Sequence, residues 1–96
     1  MPQATRLDDY STGHDACAPV PLITASPNVF INNKPAGRVG DMYKAHGCDV
    51  HAQHQDEISA GSATVFINNK PAGRVGDDVV IGGAVNEGSP DVFIGG

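Results

Sequence analysis

Residues 26–41 and 62–77 carry the same sequence at 14 of 16 positions, 36 residues apart, and differ only at Pro27/Ala63 and Asn28/Thr64. Self-similarity at this level means that one supersecondary unit has been copied and packed against its copy. Each copy contains Val-Phe-Ile-Asn-Asn-Lys-Pro-Ala-Gly-Arg-Val-Gly-Asp, from Val29 to Asp41 and from Val65 to Asp77. Val-Phe-Ile favours a short strand. Asn tolerates positive φ, so Asn32-Asn33 and Asn68-Asn69 suit a tight hairpin turn. Proline cannot donate to a ladder, so the returning Lys-Pro arm lies at an edge or pairs only after the proline. Each copy is therefore predicted to be a β-hairpin closed by the turn signal Arg-Val-Gly-Asp.

Partial copies lie at both ends. Arg6-Leu7-Asp8-Asp9 followed by His14 parallels Arg38-Val39-Gly40-Asp41 followed by His46, each histidine five residues after the last Asp. Ser89-Pro90-Asp91-Val92-Phe93-Ile94 parallels Ser26-Pro27-Asn28-Val29-Phe30-Ile31. Cutting before each Arg gives three units, 6–37, 38–73 and 74–96, each reading Arg-x-x-Asp, a variable loop, then Ser-x-x-Val-Phe-Ile. Three such units predict pseudo-threefold packing of hairpins about one axis.

At 96 residues this is expected to be one domain, 1–96, with a thin core. Three Phe, two Tyr and no Trp thin it further, while twelve Gly and seven Pro suit a turn-dense all-β fold. No window holds a 3.6-residue apolar period. A net charge of −5 with six scattered Lys and Arg excludes a nucleic-acid footprint. No apolar run is long enough to span a membrane. The polar N-terminus does not read as a secretory signal, so the chain is expected to be made in the cytoplasm, where its two cysteines would be metal-bound or free rather than disulfide-bonded.

All four histidines and both cysteines fall in two of the three variable loops, and none in a repeated hairpin: His14 and Cys17 in residues 14–25, His46, Cys48, His51 and His54 in residues 42–61. The third loop, 78–88, has neither type. Imidazole and thiolate are the donors of tetrahedral zinc, and a closed four-ligand site would help hold together a chain that buries little apolar surface. Iron or copper suits a mixed set without a redox partner less well. His14 and His46 occupy equivalent places in units one and two. Cys48 shares a face with His46 on an extended segment. His54, eight residues before Ser62, lies on the far arm of the loop. His14, His46, Cys48 and His54 are thus the first-choice zinc ligands, with Cys17 and then His51 as substitutes.

Catalytic readings are weaker. Cys48 beside His46 or His51 could form a nucleophile–base pair, but no oxyanion device accompanies it and coordination would consume the thiolate. Asp8-Asp9 and Asp77-Asp78 stand at turns after Arg, which favours capping or salt bridges. Gly82-Gly83 reads as a turn, since no helix start follows it. No enzyme is expected.

The repeated Lys-Pro-Ala-Gly-Arg-Val-Gly-Asp, the preceding Ser-x-x-Val-Phe-Ile and the terminal Ser-Pro-Asp-Val-Phe-Ile-Gly-Gly resemble the PAAR-repeat proteins. Gly37 and Gly73 replace the second Ala of the Pro-Ala-Ala-Arg motif, and Val80-Ile81-Gly82 stands where many relatives have Ser-Cys-Gly. The resemblance implies a small β cone of three hairpin units with zinc near its apex, and the segments Thr12-Gly13-His14 and His46-x-Cys48…His54 match those that carry the ligands. It implies a spike tip that caps a trimeric VgrG-like spike protein of a type VI secretion system, one monomer per trimer, or the equivalent tip of a phage-like contractile tail. Such a tip attaches effector proteins, punctures a membrane without spanning it, and is translocated with the spike to the target cell. A fused C-terminal effector is not expected here. The bottom-up reading meets this at one point: a pseudo-threefold monomer presents a similar face to each chain of a threefold partner. The three Val-Phe-Ile strands would form the base, where β-augmentation would cover their edges. A free-standing zinc-binding module with a labile site, or a small metallohydrolase with a water ligand, are the competing functions.

Overall fold

The computed structural model describes residues 1–13, 17–48, 51–80 and 82–96, with backbone alone over 46–48 and 51–54. Its described residues form a helix-free β fold of three two-stranded antiparallel sheets: β1 (Phe30–Ile31) with β2 (Lys34–Pro35), β3 (His46–Cys48) with β4 (His51–His54), and β5 (Phe66–Ile67) with β6 (Lys70–Pro71). The two repeated hairpins have the same register, Phe30 opposite Pro35 and Phe66 opposite Pro71. Both turn residues are left-handed, with φ 54° and 65° in each copy. Two consecutive positive φ values make a type I′ turn, whose twist matches that of the flanking strands.

The third Val-Phe-Ile segment is not a hairpin of its own, contrary to the prediction of three such units. Its return arm is the N-terminus. Gln3 bridges Phe93, and the Ala4 amide donates to the Val92 carbonyl at 3.0 Å. Ala36 donates in the same way to Val29, and Ala72 to Val65. Residues 3–6 therefore stand where 35–38 and 71–74 stand in the other units. Ala4-x-Arg6 is the remnant of Ala36-Gly37-Arg38 that betrays the relation.

The units meet in a closed ring of backbone hydrogen bonds. Gly73 N–H donates to the Gly37 carbonyl (2.9 Å), Gly37 N–H to Thr5 (3.0 Å), and Thr5 N–H to Gly73 (3.1 Å). The core is layered in the same threes. Ala4, Ala36 and Ala72 pack with Ile31, Ile67 and Ile94. A second cluster contains Leu22, Ile58 and Val85 with Tyr43, Val79 and Val20.

Each unit carries one guanidinium–carboxylate clamp. Arg38 Nε and Nη2 donate to the two oxygens of Asp41 (3.0 and 2.9 Å), and Arg38 N–H caps Oδ2 (2.7 Å). Arg6 with Asp9 and Arg74 with Asp77 repeat this pattern. The fourth donor, Nη1, reaches back within the unit: to the hairpin-turn Asn32 for Arg6 and Asn68 for Arg38, and to the Gly95 carbonyl after the third segment for Arg74. Bidentate, charge-assisted bonds of this kind are about twice as strong as neutral ones. The hydrogen bond from Arg38 to Asp41 is the main cause holding its guanidinium above the ordinary arginine range.

The clamp turn requires positive φ at its third residue: 92° at Gly40 and 93° at Gly76, but 74° at Asp8. A side chain in this region is strained, though Asp tolerates it better than most. Asp8 is exposed. Asp8→Gly is therefore expected to raise stability by about 0.5–1 kcal/mol, read as a higher midpoint in urea with an unchanged slope.

Tyr43 is fully buried and its hydroxyl has no hydrogen-bond partner among the described residues. Burial pushes its phenol pKa up, reinforced by Asp9 and Asp77. An unsatisfied buried donor costs about 1–3 kcal/mol. Tyr43→Phe is expected to gain roughly 1 kcal/mol and raise the Tm. A lower Tm would show that the hydroxyl is satisfied by a buried water.

Candidate docking face and metal centre

The strongest surface feature is apolar. Phe30, Phe66 and Phe93 are 58, 57 and 47% exposed although they are the chain's three phenylalanines. Their exposure follows from strand alternation: the neighbouring Ile31, Ile67 and Ile94 point inward and fill the core layer, so each Phe faces out. Val29 and Val65 are also exposed, each at 37%. Among the described residues each of these aromatics is thus left largely open to solvent beside its core isoleucine.

The rim of this face is stitched between units. Asn32 Nδ2 donates to Asp91 Oδ1 (2.8 Å), linking the first hairpin to the third segment. Asn68 Nδ2 donates to Asn28 Oδ1 (2.8 Å), linking the second hairpin to the first. Ser62 Oγ donates to the Gly95 carbonyl (2.6 Å), linking the third segment to the second. The Asn32 and Ser89 hydrogen bonds lower the Asp91 pKa, so its carboxylate stays ionised to lower pH than an ordinary aspartate. Ser26, Ser62 and Ser89 each accept amide hydrogen bonds from the residues two and three positions on, which sets the entry to all three Val-Phe-Ile segments.

The predicted metal ligands lie in another part of the chain. His14 is outside the described residues, and for His46, Cys48, His51 and His54 the backbone alone is described. Within the variable loop 42–61 that backbone forms a two-stranded ribbon. His46 is the Cα partner of His54, and Cys48 of His51, with a bulge between His46 and Cys48. The extended geometry at 46–48 and the return of residue 54 to residue 46 agree with the expectation from spacing. Four donor-type residues thus occupy two cross-strand pairs of one short ribbon, a donor set whose chemistry suits zinc.

Cys17 departs from expectation. It is 4% exposed and disulfide-bonded, not free or metal-bound, and no described cysteine is free. The chain's other cysteine is Cys48. The repeat brings the first two variable loops together, and it was the compartment argument that favoured metal-bound or free sulfurs over a disulfide. Among the described residues no group of three or more His, Cys, Asp or Glu converges on a common point. No described helix is long and apolar enough to cross a membrane.

The described residues form a helix-free stack of repeated β-units with three aromatics turned outward, a small all-β module. The family model for the PAAR motif matches residues 12–86, and the chain belongs to that family. Its members are structural spike-tip proteins of type VI secretion and related contractile systems. No curated protein matches the chain.

Proposed function

We propose that this chain is the pseudo-threefold cap of a three-chain β-helical spike, seated one copy per trimer, which sharpens the spike and carries separately bound effector proteins. The observation that carries this reading is the triad Phe30, Phe66 and Phe93, exposed at equivalent places in three units. The ring through Thr5, Gly37 and Gly73 and the three arginine clamps support an approximate threefold axis. An elongated body of 37 × 24 × 23 Å agrees with a cone. On a trimer, each unit would meet one spike chain, burying one Phe and extending that chain's terminal strand.

The reading includes one zinc ion, held by His14, His46, Cys48 and His54 toward the pointed end. His51 stands next in line as a donor, and Cys48 would serve as a thiolate. When bound, the ion would supply a rigid four-donor tie among loops whose apolar burial is small. No catalytic step is assigned to it.

The test is a titration of a purified VgrG-like spike trimer, read by the mass of the complex. One chain per trimer is expected. Each buried Phe contributes about 1.5–3 kcal/mol, so replacing Phe30, Phe66 and Phe93 together by Ser should abolish the complex while leaving the fold intact by circular dichroism. A trimer that binds three chains, or that binds the triple variant as well as the parent, overturns the reading.

A further inference from the structure

The second core cluster is walled by short segments that pair in a closed ring: Tyr10 with Pro21, Leu22 with Tyr43, Met42 with Glu57, Ile58 with Val79, Asp78 with Ala84, and Val85 with Ser11. Leu22, Ile58 and Val85 take equivalent places in it. Each accepts at its carbonyl from the third residue of a clamp turn (Asp8, Gly40 or Gly76) and donates its amide to the carbonyl of that turn's aspartate. Side chains alternate along a strand, so the neighbours of these three face outward. The outward positions correspond as Tyr10, Met42 and Asp78, as Pro21, Glu57 and Ala84, and as Ile23, Ser59 and Asn86. The inward residues are apolar in all three units, whereas the outward set is wholly apolar only in the first.

We propose that this flank is a second docking site, taking one apolar segment of another protein that carries Lys or Arg beside its anchor. Tyr10, Pro21, Ile23 and Met42 form it. Tyr10 and Ile23 are 44 and 45% exposed. Tyr10 is the Cα partner of Pro21, and the Ile23 amide donates to the Met42 carbonyl (2.8 Å). Outside the base face and Met1, the other exposed large apolar side chain among the described residues is Val80. It stands singly, two residues from Asp78, with its amide on the Glu57 carbonyl (2.9 Å).

Charge selects the occupant. Asp8, Glu57 and Glu87 border the patch. The Asp8 amide donates to the Leu22 carbonyl next to Ile23, Glu57 is the partner of Met42, and Glu87 Oε1 accepts from the Tyr10 amide (2.8 Å). None of these three carboxylates forms an ion pair among the described residues. Against them stands Lys44, exposed, with its amide on the Pro21 carbonyl. Such a rim attracts a cationic partner and repels a second copy, which would bring the same carboxylates and a net charge of −5. The backbone of these segments is already paired on both sides, so side chains rather than an added strand hold the partner. With the patch on one unit of three, each cap takes one partner and its base stays free. This inference rests on the part of the reading above in which another protein travels with the cap, and adds the face it uses.

The probe is a phage-displayed library of random peptides, selected on the immobilised full chain, with the enriched peptides then measured by calorimetry. They are expected to carry an aromatic or aliphatic anchor with Lys or Arg beside it and to bind one per chain. Binding should weaken in about 1 M salt, where the screening length falls to roughly 3 Å. Tyr10→Ser combined with Ile23→Ser should cut affinity at least about tenfold, with the fold intact by circular dichroism. Ser59→Ala, at the place of Ile23 in the second unit, should leave affinity unchanged, as should Phe30→Ser, Phe66→Ser and Phe93→Ser together. No enrichment, enriched peptides that are acidic, or peptides that bind the double variant as tightly as the parent overturn the flank site. Self-association of the chain that the double variant abolishes overturns it in favour of a second copy. Binding lost in the triple variant but not in the double variant places the peptide on the base and overturns it as well. None of these results alters the spike titration, and a failed spike titration leaves the peptide result standing.

Discussion

Arg38→Ala should destabilise the fold by about 3–5 kcal/mol, the cost of stranding one member of a buried ion pair. Arg38 and Asp41 are only 8% and 3% exposed. Removing the guanidinium deletes the two bonds to Asp41 and the one to Asn68 that anchors the second hairpin's turn. Asp41 would keep the Arg38 amide and Thr24 Oγ1, at 2.7 and 3.1 Å, but no cation. For a domain this size each 1 kcal/mol moves the Tm by roughly 4–8 °C, so the fall should exceed ten degrees. Arg74→Ala should cost less, because that clamp is only partly buried and its Nη1 reaches a carbonyl rather than a turn Asn. Exchanging both Arg38 and Asp41 for apolar residues should recover part of the loss but not all, since Asp41 also caps a backbone amide. Urea unfolding of the three variants orders them. Equal costs for Arg38→Ala and Arg74→Ala would show that burial does not set the strength of the clamps.

The clamps also show how far sequence reasoning reached. Arg-x-x-Asp at a turn pointed to capping or a salt bridge, and each Asp does both. The Asn-Asn turns were legible because few residues tolerate two consecutive positive φ values. Two features were not legible. The arm at residues 3–6 shares only Ala4 and Arg6 with its counterparts, and Gln3 and Thr5 hide the match. The β3–β4 ribbon has no apolar alternation, because residues 46–54 are rich in donor side chains rather than core residues; its strands follow from their pairing with each other. At the docking face the limit is different. Val-Phe-Ile reads as a strand, but which of its residues faces inward depends on register. The packed Ile triad decides this, and it leaves the three Phe outside. On the second variable loop, spacing put His54 on the far arm, returning toward His46, and the structure pairs the two; the disulfide of Cys17 was set aside on the compartment argument.

The substitution that sets this chain apart from Pro-Ala-Ala-Arg can be tested as a coupled pair. Thr5, Gly37 and Gly73 occupy equivalent places in the backbone ring. A Cβ on Gly37 would come within 2.8 Å of Thr5 Cγ2 and 2.9 Å of Leu22 Cδ2; one on Gly73 would lie 3.1 Å from the same Thr5 methyl and 3.2 Å from Ile58 Cδ1. Neither glycine has positive φ, so packing alone bars a side chain. One β-branched residue has filled the space that three alanines would share. Gly37→Ala is therefore expected to cost about 1–3 kcal/mol as overpacking, and Gly73→Ala less, because its nearest atoms are farther away. Thr5→Ser removes the obstructing methyl while keeping the hydroxyl that donates to the Glu87 carbonyl at 2.9 Å. In that background both should cost less: Gly73→Ala keeps its approaches to Ile58 Cδ1 and the Gly37 carbonyl (3.2 and 3.3 Å), and Gly37→Ala those to Leu22 Cδ2 and the Thr5 carbonyl (2.9 and 3.3 Å). The double-mutant cycles should give coupling energies of at least about 0.5 kcal/mol, as expected for residues in contact. Strict additivity of Thr5→Ser with either alanine would mean that the Thr5 methyl does not occupy the shared space, and the reason for glycine at both positions would have to lie elsewhere.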